Sequence, residues 1–364
     1  MVDFTVAIPT YNGAQRLSQL LERLRSQTGT EHFSWAILVV DNNSSDNTAD
    51  VVRQYQAKFS QKGSDTTLPE VHYAFEKRQG AAFARLKAMA TATTEWVGFL
   101  DDDVIPAPDW VATAYAFGQD HPKAGAYGGQ IHGAFEVDPP ENFSRIQSFL
   151  AIRERGPKPH LYNPDTLNLP PSAAWVVRAQ AWHENVSRQP KLGGRAHGSM
   201  VQGDDYEPLL RMHKAQWEIW YAPDMQVAHQ IPKARLEWNY LTSLSRGCGL
   251  CVCPLRMINA DPWQRPFIWS KITLGSLRRV IRHWIRYRHE LKTDLIAACE
   301  MEFFLGSFMS SFDYLKTLLT LPNPQQQKTD SSNSESSAGL RLSSERQSES
   351  TLQHRNCETS VQAD

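Results

Sequence analysis

Three aspartates stand in a row at Asp101, Asp102 and Asp103, inside the stretch FLDDDVIP (99–106). Like charges this close repel, and carboxylates beside an apolar run lose hydration, so the row needs either full solvent or a nearby cation. Hard divalent cations such as Mg²⁺ or Mn²⁺ take oxygen ligands, commonly one or two carboxylates plus substrate phosphates. Asp101 and Asp103 can flank one such ion; a solvated surface turn is the alternative that the motif alone leaves open. Thr10 and Tyr11 follow Pro9 and offer a hydroxyl and a ring, or are ordinary loop residues. Asp41, in VVDNNSSDNT, can accept from a ring N–H of a nucleobase or cap its own turn. Asp204 and Asp205 open GDDYEPLLR, where Asp204 can instead cap a helix. His229, in MQVAHQ, is a lone histidine after a short strand, a place that is more often structural.

The elements that must position these groups alternate in type. FTVAI (4–8), WAILVV (35–40), VHYAF (71–75) and WVGFL (96–100) are short apolar runs that predict strands. Between them, Leu17, Leu20, Leu21 and Leu24 recur at helical spacing over 14–27, Asp46 caps a helix through about Phe59, and 80–92 reads as a third helix. Continuous apolar strands separated by helices imply a parallel sheet covered on both faces, with right-handed crossovers. Ligands in such open sheets sit beyond the carboxyl ends of the strands. PTYN (9–12), DNNSSDNT (41–48) and DDD (101–103) all fall at such ends, so polar side chains from separate strands should meet in one crevice. Further on, the glycines of GAYGGQIHG (125–133) suit a bulged strand, and NLPPSAAWVVR (168–178) leads into another buried one. A helix starts within 203–216, and WEIWYAP and MQVAHQ predict two short strands. Trp175, Trp217 and Trp220 are expected in the core rather than as sugar platforms.

With 364 residues, 41% of them apolar and 21% charged, the chain suits a soluble globular protein of one large domain or two. The formal net charge of −1 gives no bias toward nucleic acid. Cys248, Cys251, Cys253, Cys299 and Cys357 are odd in number and unevenly spaced, which fits reduced thiols, and CGLCVC lacks a fourth ligand for tetrahedral zinc. The opening MVDFTVAIPTYN shows no basic segment followed by an apolar one, so no secretory signal is expected. No clean run of 18 apolar residues predicts a spanning helix. Near 235 the character changes. KITLGSLRRVIRHWIRYRHELK (271–292) sets seven Lys/Arg against one Glu with apolar residues between, a basic amphipathic helix suited to an anionic membrane surface. MEFFLGSFMSSFDYLKTLLT (301–320) is apolar but interrupted by Asp313 and Lys316, and is either interfacial or packed on the domain. From Asn323 on, the chain is rich in Ser, Gln and Glu without aromatics, and disorder is expected. The expected division is thus 1–235, 236–321 and a tail over 322–364.

VAIPTYN, VVDNNSSDNT, RQGAAFARLKA, GFLDDDVIPAPDW and GDDYEPLLR, in this order and spacing, resemble family 2 glycosyltransferases of the GT-A fold over about 3–230. More narrowly, AGAYGGQIHGAFE, PPENFSRIQSFLAIRERG and WEIWYAP resemble the glycosyltransferases of cyanobacterial hormogonium polysaccharide biosynthesis. The resemblance implies an α/β GT-A fold, with a Rossmann-like, mostly parallel sheet flanked by helices and a C-terminal helical extension. It implies an inverting sugar transfer from a nucleotide-diphosphate donor, UDP-linked by default, to a glycan or lipid-linked acceptor. Pro9, Thr10, Tyr11 and Asp41 would line the nucleoside pocket, with Arg78 and Arg85 near base or phosphates. Asp101 and Asp103 would be the DxD pair flanking donor-side Asp102, with Asp103 bound directly to Mn²⁺ or Mg²⁺ and His229 beside the metal or diphosphate. Asp205 would be the catalytic base. The family commonly has Glu where Asp204 stands, a departure that bears on acceptor contacts.

Elementary chemistry suits those roles: a cation stabilises the leaving diphosphate, and one carboxylate deprotonates the acceptor hydroxyl in a single displacement. The multiple spans and Q-x-x-R-W motif of processive synthases are missing, which favours single-sugar addition by a cytoplasmic enzyme, peripheral at the inner face of the plasma membrane. Two other classes compete. A nucleotidyltransferase would share the sheet and the aspartates but needs a Gly-rich phosphate loop with a lysine near the N-terminus. A non-catalytic sugar-nucleotide-binding scaffold would tolerate loss of Asp205.

Overall fold

The computed structural model describes residues 2–60, 68–190, 192 and 200–320, so the expected tail over 322–364 lies outside the described residues. In chain order the elements are β1 (Phe4–Thr10), α1 (Ala14–Arg25), β2 (Trp35–Asp41), α2 (Thr48–Ser60), β3 (Glu70–Phe75), α3 (Ala81–Thr91), β4 (Trp96–Leu100) and β5 (Val104–Pro106). Then follow α4 (Trp110–Asp120), β6 (Ala124–Phe135), β7 (His160–Leu161), β8 (Ala174–Arg178), α5 (Ala179–Asn185), α6 (Tyr206–Lys214) and β9 (Glu218–Ile231). The chain continues through α7 (Trp238–Leu250), α8 (Val252–Ile258), α9 (Arg265–Tyr287) and α10 (Leu295–Thr320).

One sheet runs β3-β2-β1-β4-β8-β6-β9-β5, with β7 added to β9. The expected parallel ladder is present in β3-β2-β1-β4, and β6 is parallel to β9. The other pairings, β4–β8, β6–β8, β5–β9 and β7–β9, are antiparallel. Side-chain alternation sorts each strand between the two faces. Phe4, Val6 and Ile8 of β1 and Ile37 and Val39 of β2 join Leu17, Leu20 and Leu21 of α1 and Trp110 of α4 on one face. Ala7, Leu38 and Val40 join Ala84, Ala88 and Met89 of α3 and Leu209 of α6 on the other. Trp175 belongs to this second core, while Trp217 and Trp220 pack at the core margins.

One sequence expectation is corrected here. WEIWYAP and MQVAHQ form one strand, β9, and not two: opposite β6 the register jumps from Gly128↔Tyr221 to Gln130↔Gln226, and Pro223 sits in that irregular stretch where its missing N–H breaks no ladder. Met1–Phe312 forms one compact unit and Asp313–Asp364 another. Within the first unit lies a third core, in which Leu236, Leu241 and Leu244 meet Phe143, Ile146, Leu150, Ile231, Ile296 and Cys299.

One helix among the described residues is long and apolar enough to cross a membrane, Leu295–Leu319, and half of its most apolar window is buried. Ser307, Ser310 and Ser311 are fully buried. Gly249 of α7 and Gly306 of α10 let the two backbones touch: a Cβ on Gly306 would lie 2.4 Å from the Arg246 carbonyl oxygen, and one on Gly249 2.4 Å from that of Phe303. The N-terminal part of α10 is therefore packed on the domain. Gly306→Val should lower stability by about 1–3 kcal/mol through forced separation of the helices. Gly275→Ala on α9, where a Cβ meets nothing within 4 Å, should leave the melting temperature unchanged or raise it. Thermal denaturation of both variants checks the contrast.

Candidate active site

The carboxyl ends of β1 and β4 open onto a cleft of about 390 Å³, lined among others by Pro9, Thr10, Tyr11, Arg85, Asp101, Asp102, Asp103, Asp204, Asp205 and His229. Residues from both halves of the sequence thus converge, as the strand-end argument requires. Asp102 faces β1 and α1. Its Oδ2 accepts from the Thr10 hydroxyl at 2.6 Å, and Arg16 grips both oxygens, Nε to Oδ1 at 2.9 Å and Nη2 to Oδ2 at 3.0 Å. Gly13 permits this approach, since a Cβ there would lie 2.0 Å from Thr10 Oγ1 and 2.4 Å from Asp102 Oδ2.

Asp103 turns the other way, toward β9. Its Oδ2 accepts from Arg235 Nη2 at 2.6 Å and lies 3.5 Å from His229 Nε2. Arg235 Nη1 in turn is 3.0 Å from His229 Nε2. A guanidinium can only donate, so Nε2 carries the ring's lone pair, and Nδ1 holds the proton that is given to the Leu150 carbonyl at 2.9 Å. The backbone carbonyl thereby fixes both tautomer and ring orientation.

The third carboxylate group sits at the start of α6. Gly203, at φ 99°, adopts a left-handed turn that brings its carbonyl under the N–H groups of Tyr206 and Glu207. This turn aims Asp204 and Asp205 into the cleft. Asp204 does not cap α6; its Oδ2 accepts from Arg85 Nη1 at 2.7 Å, with both side chains buried. Arg85 Nη2 also donates to the Ser172 hydroxyl at 2.6 Å, and the Ser172 backbone N–H donates to Asp205 Oδ2 at 3.3 Å.

Five carboxylates thus face three guanidiniums: Arg16 on Asp102, Arg235 on Asp103 and Arg85 on Asp204. No ion pair among the described residues reaches Asp101 or Asp205. Both are pushed up to about 6, Asp101 by burial and then by the charge of Asp103, Asp205 by burial and then by Asp204. Burial also acts on Asp103, but the charge and hydrogen bonds of its partners, the Arg235 guanidinium among them, hold the carboxyl low.

A divalent cation would find hard oxygens at Asp101 and Asp103 and a ring lone pair at His229, a donor set that fits Mg²⁺ or Mn²⁺. Among the described residues no three His, Cys, Asp or Glu side chains, these included, are grouped closely enough to hold a metal ion by themselves. The remaining ligands would have to come from a phosphate group, as Mg²⁺ commonly arranges.

Two expected donor residues stand apart from this lining. Asp41 accepts from the Ser44 N–H and the Tyr73 hydroxyl, each at 2.8 Å. Arg78 is tied through both its Nε and Nη2 to Glu76 and lies over the Phe83 ring. Sequence reading missed Arg16, Arg235, Ser172 and Asn42. Asn42 receives the Gly80 N–H and donates to the carbonyls of Glu76 and Arg78, which holds the loop before α3 against β2. Asn42 carried a signal, because it directly follows Asp41 at a strand end; the two arginines carried none without tertiary contacts.

Residues 5–179 match the family model described as Glycosyl transferase family 2. The pre-mycofactocin glycosyltransferase of Mycobacterium tuberculosis is 28% identical over 241 residues, which is 65% of this chain and 44% of that protein. The validoxylamine A glucosyltransferase of Streptomyces hygroscopicus is 30% identical over 161 residues, 43% of this chain and 36% of its own length. The chain thus spans under half the length of these relatives. Among solved structures, the mannosyltransferase PcManGT from Pyrobaculum calidifontis, in complex with GDP-Man and Mn²⁺, superposes with a TM-score of 0.52 at 19% identity, over 85% of this chain and 86% of that one. That likeness concerns the fold. Sheet topology and the structural likeness give this chain a GT-A fold, and its residues 5–179 are similar to the family described as Glycosyl transferase family 2.

Proposed function

We propose that the enzyme transfers single sugars from a nucleoside-diphosphate donor, with inversion and with a divalent cation, to a glycan or lipid-linked acceptor in extracellular polysaccharide synthesis. The resemblance to cyanobacterial hormogonium enzymes supports the polysaccharide role. The observation that carries the chemistry is the pair of half-buried cleft carboxylates without a guanidinium, Asp101 and Asp205. Asp101, with Asp103 and His229, would hold the cation, which when bound supplies Lewis-acid stabilisation of charge on the leaving diphosphate. Asp205 would take the proton of the acceptor hydroxyl at Oδ1 or Oδ2, since a carboxyl near 6 is ionised at neutral pH yet more basic than a solvated aspartate. Arg85, held by Ser172, fixes Asp204 beside it and leaves that side chain to meet the acceptor. Asp205 alone lacks a guanidinium outside the aspartate row, so one base and one displacement suffice. Pro9, Thr10 and Tyr11 would border the nucleoside, with Asp41 and Arg78 supporting that end of the site from behind.

Membrane contact is part of the same reading, placed at the inner leaflet where lipid-linked sugars reside. Helix α9 carries six Lys/Arg and no acid. Its inward residues Ile272, Ser276 and His283 are buried, while Phe267, Leu274, Ile281 and Ile285 form an exposed apolar stripe. Lys271, Arg278, Arg282 and Arg286 form an exposed cationic stripe beside it. An apolar stripe flanked by cations suits the headgroup region of an anionic bilayer.

A panel of UDP and GDP sugars, assayed with and without Mn²⁺, tests the chemistry. Turnover should require the cation, Asp103→Ala should lose donor binding, and Asp205→Asn should keep donor binding while losing about 10²–10⁴ in rate. Equal activity in all three proteins would return the molecule to the scaffold reading.

The raised Asp205 carboxyl also has a stability consequence. Its folded value lies above its unfolded one, so it favours the fold fully below about pH 4 and opposes it once pH passes 6. Asp205→Asn should therefore stabilise the protein by about 2 kcal/mol at pH 7.5, with the difference vanishing below about pH 4. Denaturant melts at both pH values measure this, and a variant less stable at pH 7.5 contradicts it.

Flotation with vesicles checks the membrane contact. The protein should bind phosphatidylglycerol vesicles at low salt and leave phosphatidylcholine ones, and Arg278→Ser with Arg282→Ser should weaken binding at least about tenfold. A protein that stays with the soluble fraction in both cases removes this part of the reading.

A further inference from the structure

We infer that Arg235 is a built-in occupant of the cation's seat and that the two exclude each other, so that metal and nucleotide must load together. The inference rests on the reading of Asp101, Asp103 and His229 as that seat. An imidazole nitrogen has one lone pair, and that of His229 Nε2 already accepts from Arg235 Nη1 at 3.0 Å. A ligand bond from this nitrogen to a metal and the bond to Arg235 cannot coexist. The same guanidinium holds Asp103 Oδ2 at 2.6 Å, so one side chain engages both partners that a cation would bridge.

The surroundings allow the exchange. Arg235 stands on a single turn, Lys233–Leu236, between β9 and α7, and its backbone N–H donates to the Pro232 carbonyl. Its side chain is 23% exposed and lines the cleft, so it can withdraw without moving β9. Among the described residues its one carboxylate partner within 4 Å is Asp103. Expelled by a cation in the absence of nucleotide, the guanidinium would lose that partner and gain none. A nucleoside diphosphate changes the balance, because its phosphate oxygens complete the cation's ligands and offer Arg235 a new anion. Metal and nucleotide binding are then coupled, and by linkage each raises the affinity of the other by one common factor.

The test uses Mn²⁺, with free ion read by electron paramagnetic resonance, and UDP or GDP without a sugar acceptor. In the wild-type protein, nucleotide should tighten Mn²⁺ binding at least tenfold. Arg235→Met should bind Mn²⁺ at least tenfold tighter than wild type when nucleotide is absent, and the further gain on adding nucleotide should shrink. Arg235→Lys, which can reach Asp103 but cannot span both partners, should fall between. Equal melting temperatures establish that the variants are folded. Arg235→Met that binds Mn²⁺ no tighter than wild type, while still binding nucleotide, overturns the competition. A wild-type protein that binds neither Mn²⁺ nor UDP or GDP contradicts instead the site reading beneath it.

Discussion

Five aspartates share one cleft with three arginines, and that imbalance is the constraint on which the rest of the molecule depends. Each arginine closes on one carboxylate with good geometry, Arg16 on Asp102, Arg85 on Asp204 and Arg235 on Asp103. Asp101 and Asp205 are left half-buried and, among the described residues, without an ion-pair partner, each raised to about 6. A shift of that size opposes folding by about 2–3 kcal/mol per group at neutral pH. A fold built only for stability would place amides or apolar groups there. Retention of the carboxylates is the mark of a site that draws a cation and a proton from its substrates.

The architecture explains how such a site is held. Asp101–Asp103 leave β4, Thr10 ends β1, and Asp204 and Asp205 stand at the turn into α6, so three separate segments supply the charges. Each is locked by the core behind it: Trp96 and Leu100 on one face of β4, Val97 and Phe99 on the other. The wall opposite comes from β9 and α7, joined by the core that Leu236, Leu241 and Leu244 share with Leu150. Leu150 contributes twice, through its side chain to that core and through its carbonyl to His229. Helix α7, through Tyr240 and Leu244, therefore lines the cleft.

Much of this was legible in the sequence. The alternation of apolar runs and helical leucine spacing gave β1 to β4 and α1 to α3 within a few residues, because each element is long, strongly periodic and buried. The convergence of Asp101–Asp103 with Asp205 followed from strand-end logic and from the resemblance to the family. What could not be read was pairing. Nothing in the spacing ties Arg16 to Asp102 or Arg235 to Asp103, 86 and 132 positions apart. The antiparallel half of the sheet was also hidden, since β8 is reached through irregular chain and β9 continues past Pro223 by a register shift. The contacts of Asp41 with Tyr73 and of Arg78 with Glu76 were likewise not legible in the sequence.

The claim that binds this account together is that, among the described residues, Asp101 and Asp205 alone of the cleft carboxylates lack an ion-pair partner. Carbon-13 NMR of protein labelled at aspartate carboxyls, titrated with and without Mg²⁺ and UDP or GDP, addresses it directly. Two resonances should titrate near pH 6 in the metal-free protein, disappearing singly in Asp101→Asn and Asp205→Asn, and only the Asp101 signal should fall sharply when the cation and nucleotide are added. If every cleft aspartate titrates in the ordinary range below pH 5, or if Mg²⁺ moves neither signal, the charge balance drawn here is wrong.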